Sequence, residues 1–259
     1  MIETEQLLFE RWGSTAFVTF NRPGARNAMT WEMYNALYEA CEAVDADDEV
    51  RVLVLRGAGE KAFVAGTDIK QFREFESGED GIEYEARIER IVGRLEAVRK
   101  PTIAVIDGYA IGGGLSIAAV SDLRICTPEA KFGMPIARTL GNCLSVENHA
   151  RLMALLGPAR TKALIFTARM FSAEEALNAG LATEIVPRDE LDGRVTELCA
   201  SLESHAPITM RVTKESLRRL TLAGLPDTGD LVRETYGSRD FHEGVSAFVE
   251  KRRPEWQGR

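Results

Sequence analysis

The chain has 259 residues, of which 45% are hydrophobic and 28% charged. This length and composition are those of one large globular domain, or of one domain with an appendage. The formal net charge of −8 at pH 7 is spread along the chain. It argues against general nucleic-acid binding, which needs a basic surface to neutralise phosphates. A local basic patch for an anionic ligand remains compatible with this charge.

Cysteine usage and hydropathy predict a cytoplasmic protein without a membrane partner. Cys41, Cys126, Cys143 and Cys199 lack any metal-binding spacing, so free thiols in a reducing compartment and no metal site are expected. The first residues are acidic and lack the apolar core of a signal peptide. No uncharged apolar run reaches the ~20 residues that a membrane-spanning helix needs.

The first part of the chain predicts a hairpin, a helix and a strand. Residues 7–12 and 15–20 alternate as two strands joined at a Gly-Ser turn. Thr30 is placed to cap a helix that runs to about Val44, and residues 50–55 form the next strand. These elements alternate as in an α/β protein.

Two small-residue turns, each leading into a helix, stand out in the middle of the chain. The first is Gly66-Thr67. The second is Gly112-Gly113-Gly114, which follows a strand at residues 102–106. Bare backbone at a helix start offers N–H groups to an anion or to a developing negative charge. Alternatively, the glycines only relieve crowding in a tight turn. Two such turns aimed at one point would suit an oxyanion, but the sequence alone leaves their convergence open.

The rest of the chain continues this alternation and then becomes helical. Its predicted elements are, in order, a mobile polar segment at 73–81, a helix over 88–98, a strand at 123–126, a turn at 131–135, a helix from Ser145 ended by Gly157-Pro158, a capped short helix at 172–180 and a strand at 181–186. Beyond residue 189 only helices are predicted. The pattern therefore predicts an α/β core over residues 1–188 and a helical region over residues 189–259.

A family likeness is carried by five segments in a fixed order. They are residues 21–28, 63–70, 100–114, 171–181 and 243–252. Over nearly its whole length the chain resembles the crotonase superfamily, also called the enoyl-CoA hydratase/isomerase family. The resemblance implies a spiral of ββα units, and C-terminal helices that build a homotrimer or a dimer of trimers.

The resemblance also implies an acyl-CoA substrate, with no cofactor beyond the CoA that carries the acyl group. The thioester oxygen would lie between the backbone N–H groups of Thr67 and Gly113, which fits the need to stabilise an enolate. The positions that would contact CoA are Ala25, Arg26, Ala65, Asp68, Ile69, Lys70, Phe248 and Lys251. Lys251 is alternatively a surface charge. For Phe248, a core position on one stripe with Phe241 and Val245 is favoured.

The likeness fails where hydratases of the family place their two catalytic glutamates. Ser116, itself a candidate catalytic residue, and Ile136 occupy these positions. A serine without a partner is a poor base at pH 7, and an isoleucine neither donates nor accepts a proton. We therefore expect hydration of a 2-enoyl-CoA to be far slower than in a two-glutamate enzyme.

Residues 140–152 also depart from the family, since polar side chains replace a glycine-rich turn. Ser145, Glu147 and His149 are the candidate replacements for the missing acid/base groups, with the plainer alternatives of a helix cap, a first-turn charge and a surface histidine. Three functions stay open. The first is an acyl-CoA enzyme with an unusual acid/base set, the second a genuine hydratase with a replaced base, and the third a non-catalytic CoA-binding or scaffold protein.

Overall fold

Two sheets of mostly parallel strands form the frame of the molecule. A computed structural model describes residues 4–259. In chain order the strands are β1 (Leu7–Trp12), β2 (Thr15–Phe20), β3 (Val52–Gly57), β4 (Ala62–Ala65), β5 (Thr102–Ile106), β6 (Tyr109–Ile111), β7 (Leu123–Cys126), β8 (Lys131–Gly133), β9 (Met170–Ser172) and β10 (Glu184–Ile185). One sheet has the order β1-β2-β3-β5-β7-β10 and the other the order β4-β6-β8-β9.

Helices separate the strands and then fill the C-terminal part of the chain. They are α1 (Trp31–Ala46), α2 (Gly78–Glu96), α3 (Gly113–Val120), α4 (Ile136–Thr139), α5 (Val146–Phe166), α6 (Ala173–Asn178), α7 (Leu191–Ser204), α8 (Pro207–Leu222), α9 (Gly229–Tyr236) and α10 (Arg239–Glu250). Within residues 4–259 no helix is long and apolar enough to cross a bilayer.

The chain passes repeatedly from the first sheet to the second and then into a helix. The successive units are β3-β4-α2, β5-β6-α3 and β7-β8 followed by α4 and α5. This confirms the predicted α/β fold built from ββα units.

The burial of β5 on both faces explains why its sequence does not alternate between apolar and polar residues. All five of its residues are buried. Ala104 and Ile106 belong to the main core, whereas Ile103 and Val105 belong to a second apolar cluster with Val195 of α7. A strand covered on both faces buries every side chain. The helical region after residue 189 therefore completes the core of the α/β part.

The sequence patterns missed all four strands of the second sheet. β4, β6, β8 and β9 are only three or four residues long, which is too short to show an alternation. Residues 131–135, predicted as a turn, begin with β8. The sequence therefore identified the turns that follow β4 and β6 without the strands that hold them.

Two further predictions need correction. The predicted mobile segment at 73–81 ends in ordered helix, since α2 begins at Gly78 and the Asp80 carboxylate accepts the N–H of Ser77 at 2.8 Å. The helix after Ser145 does break at Gly157, where φ is 72°, but it resumes at once. Proline is well tolerated in the first turn of a helix, so Pro158 starts the segment that continues to Phe166.

Candidate active site

The two small-residue turns lie side by side because the strands before them are parallel and in register. Ala65 at the end of β4 is paired with Ile111 at the end of β6. The backbone nitrogen of Thr67 lies 3.9 Å from the place where a Cβ on Gly113 would stand. Neither of these two N–H groups donates a hydrogen bond to another group within residues 4–259. The structure thus shows the convergence that the sequence left open.

Each glycine of the second turn meets a different requirement. Gly112 has a φ of 55°, which side chains rarely adopt. A Cβ on Gly114 would stand 2.1 Å from the carbonyl oxygen of Val64, so this glycine allows α3 to approach β4. A Cβ on Gly113 would stand 2.6 Å from the Tyr34 hydroxyl and would occupy space between the turns. The steric interpretation therefore applies at all three positions, and Gly113 in addition leaves bare backbone open beside Thr67.

Two buried tyrosines fix the side chain of Thr67. The hydroxyl of Tyr34 lies 2.8 Å from Thr67 Oγ1, and that of Tyr84 lies 3.0 Å from the same atom. Burial raises the pKa of Tyr34 to about 12 and raises the pKa of Tyr84 well above its usual value. Both phenols are therefore neutral hydrogen-bonding groups at physiological pH.

A pocket of about 560 Å³ opens next to these turns. The predicted residues that line it are Ala25, Arg26, Ala65, Thr67, Asp68, Ile69, Lys70, Gly113, Ser116, Phe248 and Lys251. The structure thus brings together every position for which the sequence predicted CoA contact, and both predicted oxyanion donors.

The pocket wall carries an excess of positive charge, although the chain as a whole is acidic. Arg26, Lys70, Arg73 and Lys251 line it. Asp68 also lines it, but its carboxylate is 3.2 Å from the Arg22 guanidinium and accepts the N–H of Lys70. The local basic patch that the net charge permitted is present at this pocket.

The positions of several side chains in the structure correct the roles that the sequence predicted for them. Phe241 and Val245 are buried, but Phe248 is 49% exposed, so the favoured core position for Phe248 was wrong. Ser145 Oγ accepts the N–H of Asn148 at 3.3 Å, which is the helix-cap alternative. Ser145, Glu147 and His149 are absent from the residues that line the pocket, and His149 is exposed.

The positions of the missing glutamates do face the pocket. Ser116 and Ile136 both line it and are 4% and 9% exposed. No carboxyl group therefore stands at either place. Cys143 does not replace them, because burial raises the pKa of its thiol to about 11, and the thiolate is the nucleophilic form.

One carboxyl group in the pocket escaped the sequence analysis. Glu85 of α2 lines the pocket and is only 6% exposed. The Tyr236 hydroxyl donates to its Oε1 at 2.6 Å, and the Ser145 backbone N–H donates to its Oε2 at 3.0 Å. Burial is the main cause that raises the pKa of Glu85 to about 7.

The local packing of α2 against α9 explains this arrangement. A Cβ on Gly81 would stand 2.3 Å from Cγ of Tyr236, so only a glycine lets the ring lie on α2. One helical turn later along α2, the hydroxyl of that ring reaches Glu85. A signal was present in the sequence: Glu85 lies on the apolar stripe of α2 with Gly81, Ile88 and Val92, all of which are buried.

The fold and the site together define a class of enzymes. The family model described as enoyl-CoA hydratase/isomerase matches residues 10–259, and the chain belongs to this family.

Two curated relatives and two solved structures illustrate its members. The short-chain-enoyl-CoA hydratase of Clostridium acetobutylicum is 34% identical over 258 residues, which cover 98% of each chain. The crotonyl-CoA hydratase of Syntrophomonas wolfei is 32% identical over 253 residues, which cover 96% of each chain. Methylmalonyl-CoA decarboxylase complexed with 2S-carboxypropyl CoA is similar with a TM-score of 0.91 and 28% identity, covering 99% of this chain and 100% of that one. An enoyl-CoA hydratase/carnithine racemase from Magnetospirillum magneticum has a TM-score of 0.81 and 30% identity, covering 99% of this chain and 97% of its own.

Proposed function

We propose that this protein is an acyl-CoA-processing enzyme that stabilises a thioester enolate between the backbone N–H groups of Thr67 and Gly113. The observation that carries the proposal is the meeting of two unpaired backbone N–H groups beside one pocket. Such fixed donors stabilise the charge that a thioester oxygen gains as an enolate forms, and removal of one donor typically costs about 3 kcal/mol of barrier.

The pocket also suits the two ends of a CoA thioester. Phosphate groups would meet the positive charges of Arg26, Lys70, Arg73 and Lys251. An acyl chain would meet the apolar part of the wall, which includes Ile88, Met134 and Leu144. The complexes of methylmalonyl-CoA decarboxylase with CoA derivatives support binding of this ligand class.

The proposal is tested with an anionic mimic of the enolate. We expect 2-nitronate-propionyl-CoA to bind at least ~100-fold more tightly than propionyl-CoA in titration calorimetry, as transition-state analogues do. In Gly113→Ala this preference should fall, because the added Cβ would occupy space between the two turns. Gly193→Ala, which adds a Cβ with nothing within 4 Å, is the control. Absence of binding heat from both compounds, or equal affinities in the wild type, would overturn the proposal.

A genuine enoyl-CoA hydratase is the second candidate, because curated relatives carry that name. Against it stand Ser116 and Ile136, which offer no carboxylate to a water molecule. We expect the rate of crotonyl-CoA hydration, followed by absorbance of the enoyl thioester, to lie far below the ordinary enzyme range of ~1–1000 per second. A rate within that range would favour the hydratase.

We propose further that the enzyme assembles as a homotrimer or a dimer of trimers. The family resemblance implies this assembly. It is also supported by α8, which buries none of its own residues in the single chain.

A further inference from the structure

Glu85 has no cationic partner, unlike three other covered carboxylates in the described part of the chain. Asp45 pairs with Arg94 at 2.7 Å, Glu96 with Arg151 at 2.7 Å and Asp122 with Lys214 at 2.7 Å. Within residues 4–259 no Lys, Arg or His forms an ion pair with Glu85. Its partners are one phenol and one backbone N–H, so its negative charge is not neutralised.

The carboxyl group is nevertheless held firmly. Its two oxygens are fixed by donors from two different parts of the chain, Tyr236 at the end of α9 and Ser145 at the start of α5. Each oxygen of a carboxylate has two lone-pair sites, so each keeps one for a further partner. A fixed, incompletely used carboxyl group is what proton transfer requires.

Glu85 shares its pocket with the proposed oxyanion donors. Glu85 lines the same pocket as Thr67 and Gly113. Its neighbour in the chain, Tyr84, touches Thr67 Oγ1 at 3.0 Å, which ties this turn of α2 to the turn that carries the Thr67 N–H. The other carboxylate of the pocket, Asp68, is already paired with Arg22.

We propose that Glu85 is the catalytic residue that moves protons at the carbon next to the thioester carbonyl, in place of the carboxyl groups absent at Ser116 and Ile136. This inference rests on the proposed function. The Glu85 carboxylate takes a proton from Cα, and the electron pair of the broken C–H bond moves towards the thioester oxygen held by the two N–H groups. Glu85 then returns a proton to Cα, or to Cγ when the chain has a 3,4 double bond. Both reactions, exchange at Cα and transfer from Cα to Cγ, balance without another reactant.

Tyr236 is a positioning residue in this proposal. Its hydroxyl donates to Glu85 and lowers the pKa of that carboxyl group, as the Ser145 N–H also does. The remaining titratable groups around Glu85 oppose its charge or carry none: Glu89 on α2, Glu147 on α5, Cys143 before α5, and the phenols of Tyr34 and Tyr84. Loss of the Tyr236 hydroxyl should therefore shift the titration of Glu85 to higher pH.

The decisive experiment is deuterium exchange into 3-butenoyl-CoA in D₂O, followed by mass spectrometry. The wild type should incorporate deuterium at Cα. Glu85→Gln, which keeps the shape but loses the titrating group, should exchange at least ~100-fold more slowly, as expected for loss of an acid/base group. Glu83→Gln, on an exposed position of the same helix, should exchange like the wild type.

Calorimetry with propionyl-CoA distinguishes a failure of the Glu85 role from a failure of the proposed function. If Glu85→Gln binds with wild-type affinity and exchanges at the wild-type rate, the role of Glu85 is overturned. Binding without exchange in the wild type also overturns it and leaves CoA binding intact. No binding by the wild type overturns the proposed function itself. If Glu85→Gln fails to fold, Glu85→Asp is used instead. Because aspartate is shorter, an exchange rate equal to that of the wild type would contradict a carboxyl group fixed in position.

The pH profile provides a readout that a purely structural role would not change. Since the carboxylate is the active form, the exchange rate should rise with pH and level off above about 7. Tyr236→Phe should move the midpoint of this rise upward. A Tyr236→Phe variant with a lower plateau and an unmoved midpoint would contradict the positioning role.

Discussion

The ionised carboxylate of Glu85, which the proposed catalysis requires, lowers the stability of the folded protein. The pKa of this group rises from 4.5 to about 7 in the folded protein, so the folded state holds a proton more tightly than the unfolded chain between these values. The resulting stabilisation is full below about pH 4.5 and is lost as the pH rises through about 7. At neutral pH and above, the protein therefore carries a buried charge that two hydrogen bonds offset only in part.

This predicts a pH-dependent gain of stability in Glu85→Gln. A glutamine does not titrate, so the difference in unfolding free energy between variant and wild type isolates the carboxyl group. We expect that difference to increase by about 2–3 kcal/mol between pH 5 and pH 8, in favour of the variant. Urea unfolding at both pH values measures it, with Glu83→Gln as the exposed control. Parallel pH dependence in Glu85→Gln and the wild type would show that Glu85 titrates normally.

At the scale of elements, the contact between α3 and β4 depends on one missing side chain. A Cβ on Gly114 would stand 2.1 Å from a backbone carbonyl oxygen, and a backbone atom cannot rotate away. Gly114→Ala should therefore destabilise the fold by at least the ~1–3 kcal/mol typical of overpacking.

The matched substitution is Gly193→Ala in the first turn of α7, where an added Cβ meets nothing within 4 Å. It should stabilise the protein by ~0.5–1 kcal/mol, because alanine favours the helix over glycine. Thermal and urea unfolding measure both changes. Equal effects of the two substitutions would mean that α3 and β4 are not in this close contact.

The same elements show what the sequence was able to reveal. The turns at Gly66-Thr67 and Gly112 to Gly114 were recognisable because glycine and helix-start patterns are local. Their convergence depends on the pairing of Ala65 with Ile111, in strands too short to show a pattern. The position of Glu85 on an apolar stripe was visible in the sequence. Its hydrogen-bond partners, however, lie 60 and 151 residues away along the chain. Local patterns thus identified the proposed oxyanion donors, whereas only tertiary packing brings Glu85 together with its partners.

At the scale of the whole molecule, α8 is oriented unusually for a surface helix. Its Lys214 points towards the fold and pairs with Asp122 at 2.7 Å. Its large apolar side chains point outward, and Ile208, Val212, Leu217 and Leu220 are between 49% and 74% exposed. A surface helix ordinarily does the reverse, and exposed apolar patches of this kind mark contact with another protein surface. In the proposed trimer or dimer of trimers, a second copy of this chain would cover it.

Substitution of Leu220 tests this assembly directly. Leu220→Glu places a charge at a position where the proposed contact would remove it from water, so we expect light scattering to show dissociation towards the mass of one chain. Phe166→Glu is the matched control, since Phe166 and Leu220 are both 74% exposed but Phe166 lies at the end of α5. Because charge repulsion alone would act at both positions, dissociation specific to Leu220→Glu assigns the contact to α8. A single-chain mass for the wild type, or dissociation by Phe166→Glu alone, would contradict it.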